Sequence, residues 1–181
     1  ESRSRDFAQD VAKLPVGISG RLSRLTEVDK YRFVADRDGL VTADLMARRL
    51  GSDFNGAIKV HDSSGQILAD FADTQGLDGG VTFGVVAGNA YTVSIHDTDF
   101  RGDRAYVYRL SLKYGSPVLA TSPAYGQRGT SSNIKLVGVG LPSEMPELDS
   151  RETNVTFSSD EGQPLQIVSA QTPNQVVEVA V

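Results

Sequence analysis

Cysteine and tryptophan are absent from this sequence of 181 residues, and methionine and histidine occur twice each. Without cysteine there is no disulfide framework, no thiolate metal site and no thiol nucleophile. No apolar run approaches the roughly 20 residues of a membrane-spanning helix, and no leader pattern opens the chain. Nor does charge of one sign dominate: 18 Lys and Arg against 23 Asp and Glu leave a net charge of −5. That balance argues against a general nucleic-acid binder and keeps the surface soluble and mildly hospitable to cations. The chain begins at Glu1 without a methionine, which predicts a processed or excised part of a larger multidomain protein.

What the sequence does hold is glycine, 18 residues of it, punctuating short valine-rich runs. The most regular stretch is residues 88–114. Tyr91, Val93 and Ile95 fall on one face of an extended chain and Thr92, Ser94 and His96 on the other. After the polar run 97–104 the alternation resumes, with Tyr106, Tyr108, Leu110 and Leu112 inward and Val107, Arg109, Ser111 and Lys113 outward. Two such strands around a polar loop predict an antiparallel hairpin whose apolar face must be covered by strands from elsewhere.

Earlier strands are predicted at residues 15–22, 29–35, 40–47, 57–61, 66–69 and 81–86, with Asp62-Ser63-Ser64-Gly65 turning the fourth back into the fifth. No helical period is sustained between them. An all-β, jelly-roll-like antiparallel sandwich over residues 14–114 follows, preceded by a linker or packed-down tail over 1–13. At Gly115-Ser116-Pro117 the composition shifts toward Ser, Thr, Pro and Gln, which places a domain boundary there. Residues 118–122, 133–137, 155–157, 165–169 and 176–181 are candidate strands of a second, smaller Ig-like β domain over 115–181. Its last strand reaches the chain end, so that domain is expected to be incomplete.

The series Gly17-Ile18-Ser19-Gly20, Asp29-Lys30-Tyr31-Arg32-Phe33, and Gly39 with Ala43-Asp44-Leu45 resembles the bacterial pre-peptidase C-terminal domain. Val60-His61-Asp62 with Gly65, Gly88 with Ala90-Tyr91-Thr92-Val93, and Tyr106-Val107-Tyr108-Arg109-Leu110 continue it in order. The resemblance implies a jelly-roll-like sandwich that serves as a non-catalytic appendage of exported enzymes, some relatives of which bind substrate and calcium. In those relatives part of the calcium shell precedes the first strand in a Glu-x-Asn pattern. Here that segment reads ESRSRDFAQD and departs from it. After the boundary, Ser122-Pro123, Gly126-Gln127-Arg128-Gly129-Thr130 and Ile134-Lys135-Leu136-Val137-Gly138 resemble the opening of an immunoglobulin-like TIG domain, usually a spacer or binding module.

Several residues are candidates for chemistry. Asp97, Asp99 and Asp103 crowd one loop as calcium ligands would, although no Glu closes an EF-hand pattern and acidic residues are common in solvated turns. Asp62, Asp70, Asp73 and Asp78 form a second acidic set. Arg101-Gly102-Asp103 is the tripeptide that integrins read, displayed if it caps a hairpin. His61-Asp62 and His96-Asp97 suggest a charge-relay pair and hence a small hydrolase, but neighbours on a strand point to opposite faces and no nucleophile elbow is present. Tyr31, Phe33, Tyr91, Tyr106 and Tyr108 are read as core rather than as a carbohydrate platform. Arg32, Arg109 and Lys113 would line one basic strip, and Asn154-Val155-Thr156 fits a glycosylation sequon.

The sequence thus predicts an exported bacterial accessory module that binds a protein or polysaccharide partner, or acts as a spacer, beside a catalytic or anchoring region. No nucleic-acid partner and no membrane span are expected.

Overall fold

The computed structural model describes residues 7–72, 78–141 and 143–157, with the backbone of two further strands at Leu165–Val168 and Val176–Val179. The chain divides into two compact units, Glu1–Tyr114 and Gly115–Val181.

The first unit is a sandwich of two sheets. One has five strands in the order β1 (Gln9–Asp10), β3 (Asp29–Val34), β8 (Ala90–Asp97), β5 (Gly56–His61) and β6 (Ile67–Ala72). The other has four, β2 (Val16–Arg21), β9 (Val107–Tyr114), β4 (Gly39–Met46) and β7 (Gly79–Val85). Every pairing is antiparallel except that of β1 with β3, where Gln9 lies beside Tyr31 and Asp10 beside Arg32. Residues 9–10 are therefore a strand, where the sequence reading had a linker or tail.

Alternation sets which face is buried. In β3, Asp29, Tyr31 and Phe33 turn inward while Lys30, Arg32 and Val34 turn outward. Tyr91, Val93 and Ile95 of β8 and Ile58 and Val60 of β5 meet Val41, Ala43 and Leu45 of β4 and Leu110 and Leu112 of β9 in one core. Each valine, leucine or isoleucine among them contributes about 1.5–3 kcal/mol when fully buried. Phe33 packs on Tyr91, its partner in register, at 5.6 Å between ring centroids, and both reach Phe83 of the opposite sheet at 6.4 and 6.2 Å. These rings join the sheets, and Tyr31, Phe33, Tyr91 and Tyr108 are core as expected, whereas Tyr106 is only partly buried.

The expected hairpin of residues 88–114 is not formed. Strand β8 sits between β3 and β5, and β9 sits between β2 and β4 in the other sheet. Segment 98–106 therefore crosses from one sheet to the other. Alternation marks both strands as half-buried but names neither strand's partner, and the segment is long enough to span the about 10 Å between packed sheets. The predicted 57–61/66–69 hairpin does form, as β5 and β6, with β6 running on to Ala72.

A polar group sits inside this apolar core. The Tyr108 hydroxyl donates to the buried Asp29 carboxylate and lies 2.7 Å from the Tyr31 hydroxyl. Burial, followed by the nearby Tyr31 and Asp29, pushes the Tyr108 phenol far above its usual range, so it stays protonated. The ring of Tyr108 occupies the place where a Cβ at Gly20, its partner in β2, would stand.

The second unit contains an antiparallel sheet of β10 (Val118–Ser122), β11 (Ser131–Val139) and β12 (Leu148–Thr156), and an antiparallel pair β13 (Leu165–Val168) and β14 (Val176–Val179). Ile134, Leu136, Leu141, Val155 and Phe157 form its core among the described residues. Phe157 fills the space beside Gly126, where any larger residue would collide with its ring.

Gly20→Ala is expected to lower unfolding stability by about 1–3 kcal/mol in urea melts, because the Tyr108 ring must shift to admit a methyl group. Gly84→Ala, on β7 with nothing within 4 Å of its added Cβ, is expected to stay within about 0.5 kcal/mol of the parent protein.

Candidate functional site

The loops at one end of the first unit are tied together by the Asp97 carboxylate at the end of β8. This side chain is fully buried and accepts from the backbone N–H groups of Asn55, Asp99 and Arg101, each at 3.1 Å. The Arg101 guanidinium adds Nε at 3.2 Å and a second nitrogen at 3.4 Å. Burial alone would raise its pKa, but the guanidinium and the three N–H groups outweigh it and hold the carboxyl below the usual range.

Segment 98–106 is fixed on both sides. Toward residues 47–55, Thr98 N–H donates to the Asn55 carbonyl at 2.8 Å, the Asn55 amide donates to the Thr98 hydroxyl at 2.9 Å, and the Ser52 hydroxyl donates to the Ala105 carbonyl at 3.1 Å. Toward residues 22–28, Asp103 N–H donates to the Leu22 carbonyl at 2.9 Å and Thr26 N–H to the Phe100 carbonyl at 2.7 Å. Thr26 and Phe100 both hold left-handed backbone, φ 64° and 55°, a conformation that costs non-glycine residues about 1 kcal/mol or more. Gly102 packs on the Arg24 backbone so closely that no side chain fits there. Within 22–28, the buried Glu27 carboxylate accepts from Ser23 and Arg24 N–H at 2.6 and 2.8 Å.

Between residues 47–55 and segment 98–106 opens a cleft of about 750 Å³, lined by Arg48, Gly51, Ser52, Asp53, Arg101, Asp103, Ala105 and Tyr106. Its Arg48 edge is set by Asp78, whose carboxylate, 3 % exposed, accepts from Ala47, Arg48 and Arg49 N–H at 2.8–2.9 Å and from Arg49 Nε at 3.0 Å. Tyr106 forms a wall, with Phe54 6.1 Å behind it and the Arg101 guanidinium 5.8 Å from its ring centroid. The lining therefore combines two arginines, two aspartates, a serine and a tyrosine on backbone that is already ordered.

The acidic residues named from the sequence have separate tasks here. Asp97 faces inward to its donors, Asp99 is largely exposed and 3.5 Å from Arg101, and Asp103 accepts from Ala105 N–H at 2.8 Å in its own turn. Among the described residues no group of three or more His, Asp and Glu is gathered to hold a metal ion. Asp62 closes the β5–β6 turn by accepting from Ser64 and Gln66 N–H at 2.8 and 2.9 Å, and Asp70 is exposed on β6. Asp73 lies outside the described residues.

Arg101-Gly102-Asp103 is not a displayed hairpin tip, because segment 98–106 is a crossing pinned at both sides. The charge-relay pairs do not assemble either. His96 is 7 % exposed and stacks on Phe100 at 4.8 Å, while the Asp97 carboxylate is directed at Arg101 and the backbone. His61 stands opposite Thr92 and His96 opposite Ala57, four residues or about 13 Å apart along the strands. Burial, then the Lys59 ammonium, lower the His96 pKa against the opposing pull of Asp97. The supposed basic strip is divided as well: Arg32 lies on the five-stranded sheet, Arg109 and Lys113 on the four-stranded one. Asn154 is exposed within β12, where its amide donates to the Asn133 side chain at 2.8 Å.

Sequence reasoning missed Glu27, Asp78 as an anchor, and the Asp29–Tyr108 bond. For Asp97 a signal was present, since an aspartate ending a strand just before a polar run is placed to accept from the N–H groups that follow.

No family model matches the sequence, and no curated protein matches it. Among solved structures, the pre-peptidase C-terminal domain of a Bacillus anthracis collagenase aligns over 62 % of this chain and all of that one, with 18 % identity and a TM-score of 0.49. PliG of Aeromonas hydrophila, a periplasmic inhibitor of g-type lysozyme, aligns over 60 % of this chain and 97 % of its own, with 15 % identity and a TM-score of 0.44. PliG of Salmonella Typhimurium aligns over 60 % of this chain and all of its own at 15 % identity, with a TM-score of 0.38.

Asp97→Asn is expected to cost about 2–3 kcal/mol, because an amide cannot accept from all of these donors. Acid linkage separates two steps in stability. His96 has a folded pKa below its unfolded value, so its contribution is full above about pH 6.5 and declines as pH falls below that. For Asp97 and Asp78, also depressed on folding, the contribution is full above about pH 4 and is lost as pH falls through their folded values. In urea melts between pH 8 and pH 3, His96→Gln should remove the upper decline and Asp97→Asn should flatten the lower one. An unchanged profile in both variants would overturn this assignment.

Proposed function

We propose that the first unit is a non-catalytic binding module of the pre-peptidase C-terminal type in an exported protein, with the end cleft as its contact surface. The observation that carries this reading is the open cleft of about 750 Å³, lined by charged and hydroxyl side chains on loops cross-linked by Asp97, Asp78 and Ser52. The ordered motif series from Gly17 to Leu110 supports the same reading.

Chemistry at this end favours recognition over turnover. A hydrolytic site needs a nucleophile, a base within reach of it, and donors for a developing oxyanion. Here the imidazole of His96 is stacked on Phe100 and Asp97 is bound to five donor groups. What is open to a partner is a set of fixed hydrogen-bonding groups around Tyr106. Arg48 and Arg101 suit carboxylate or carbonyl oxygens, Asp53 and Asp103 suit amide or hydroxyl donors, and the ring offers an apolar wall. A segment of protein or polysaccharide presents these groups together. Loops ordered before contact lower the entropic cost of binding. Joined to a catalytic or anchoring region, such a module raises the local concentration of its target.

Arg48→Glu/Asp53→Lys tests the cleft, because both side chains line it and neither belongs to the Asp97 clamp. The parent protein is expected to be retained on at least one of insoluble collagen, chitin, cellulose or cell-wall material. The double variant should lose at least tenfold in affinity while its melting temperature is unchanged. Uniform failure of the parent protein to bind would reduce the unit to a spacer.

A further inference from the structure

The outward face of the five-stranded sheet carries a second, differently built surface. Antiparallel partners point to the same side, so register alone places its side chains in rows. Lys30 of β3, Ser94 of β8, Lys59 of β5 and Asp70 of β6 form one row. Arg32, Thr92 and His61 form the next. The two lysines are thus about 10 Å apart across two strand spacings, and the rows are about 7 Å apart.

The carboxylates of this face lie at its margins. Asp10, on the edge strand β1, pairs with Arg32 at 3.2 Å where both are substantially exposed; such a contact is weak. Asp70 is on the opposite edge strand, β6. Among the described residues neither Lys30 nor Lys59 is in an ion pair. Between the lysines Ser94 is only 6 % exposed, so an oxyanion above this row would meet chiefly the two ammonium groups. The field is felt within the face itself, since Lys59 helps to lower the pKa of His96 in the adjacent row. On the four-stranded sheet the arrangement differs: Asp44 lies on an interior strand opposite Ser111, bridged to Arg49 at 3.6 Å, and interrupts the cations there.

We infer that the Lys30–Ser94–Lys59 and Arg32–Thr92–His61 rows form a binding face for an anionic polysaccharide, one bearing carboxylate or sulfate groups along a hydroxyl-rich chain. Charge complementarity selects this occupant, with the half-buried Thr92 hydroxyl between Arg32 and His61 as a further polar group. Protein interfaces rely on aromatic anchors in desolvated pockets, and these rows hold no Trp, Tyr or Phe. Single-stranded nucleic acid needs stacking platforms, which the rows likewise lack. A glycan segment needs only a donor-rich surface.

The test is retention of the whole chain on an immobilised sulfated glycosaminoglycan and on polygalacturonate, beside a neutral glucan and a single-stranded oligonucleotide. Retention on the acidic glycans is expected at roughly 0.05 M salt and should be lost by roughly 0.5 M, as screening shortens the reach of the cations. Lys30→Ala/Lys59→Ala should weaken it at least tenfold with no change in melting temperature, whereas Arg109→Ala/Lys113→Ala on the other sheet should leave it intact. Lys30→Arg/Lys59→Arg should preserve it. No retention on either acidic glycan, retention indifferent to Lys30 and Lys59, or equal retention on the oligonucleotide would each overturn the inference. The cleft reading is untouched by any of these results, since Arg48 and Asp53 are not on this face.

Discussion

Carrying the chain from one sheet to the other between Asp97 and Val107 is the constraint on which the rest of the first unit depends, and the buried Asp97 carboxylate is what holds that crossing. A carboxylate this deeply buried is costly unless donors surround it. Three backbone N–H groups and the Arg101 guanidinium meet that need. Because one donor belongs to Asn55, the same group also fixes the entry to β5. Crossing and neighbouring loop are thereby ordered together, and the cleft inherits its shape from that bond.

The architecture was legible wherever burial alone decides. Tyr31 and Phe33, Val93 and Ile95, and Leu110 and Leu112 alternate with polar residues, and their inward orientation follows from period two. Partner choice was less legible. Strands β8 and β9 are adjacent in sequence and share a pattern, yet they belong to different sheets, because alternation records that a face is covered and not which strand lies beside it. The short β1 escaped for a similar reason: Gln9 and Asp10 gain pairing with β3 but bury little apolar surface, so they leave no hydrophobic trace.

The candidate sites were legible as residue types and illegible as roles. Asp97, Asp99 and Asp103 cluster in sequence, but Asp97 turns into the protein, Asp99 out of it, and Asp103 back onto its own turn. His96 precedes Asp97, and on a strand that adjacency sends the two side chains to opposite faces. Tyr106 and Tyr108 share a face, yet one walls the cleft and the other lies in the core against Gly20. Such differences are fixed by the loops that approach from residues 22–28 and 47–55, far away in sequence.

The distribution of charge follows from the same division of labour. Loops contain N–H groups that no ladder satisfies, and carboxylates are suited to accept from them; Asp97, Asp78, Asp62 and Glu27 each do so. Lysine and arginine can donate but not accept, so they cannot fill that role toward unpaired N–H groups. On the strands the ladder already satisfies the backbone, and long cationic side chains can lie outward over the sheet with their charged ends in water. A chain that is acidic overall can therefore present its cations in ordered rows while many of its carboxylates are bound to its own backbone. Net charge describes the sum of these groups, but a partner meets only those that the fold leaves pointing outward.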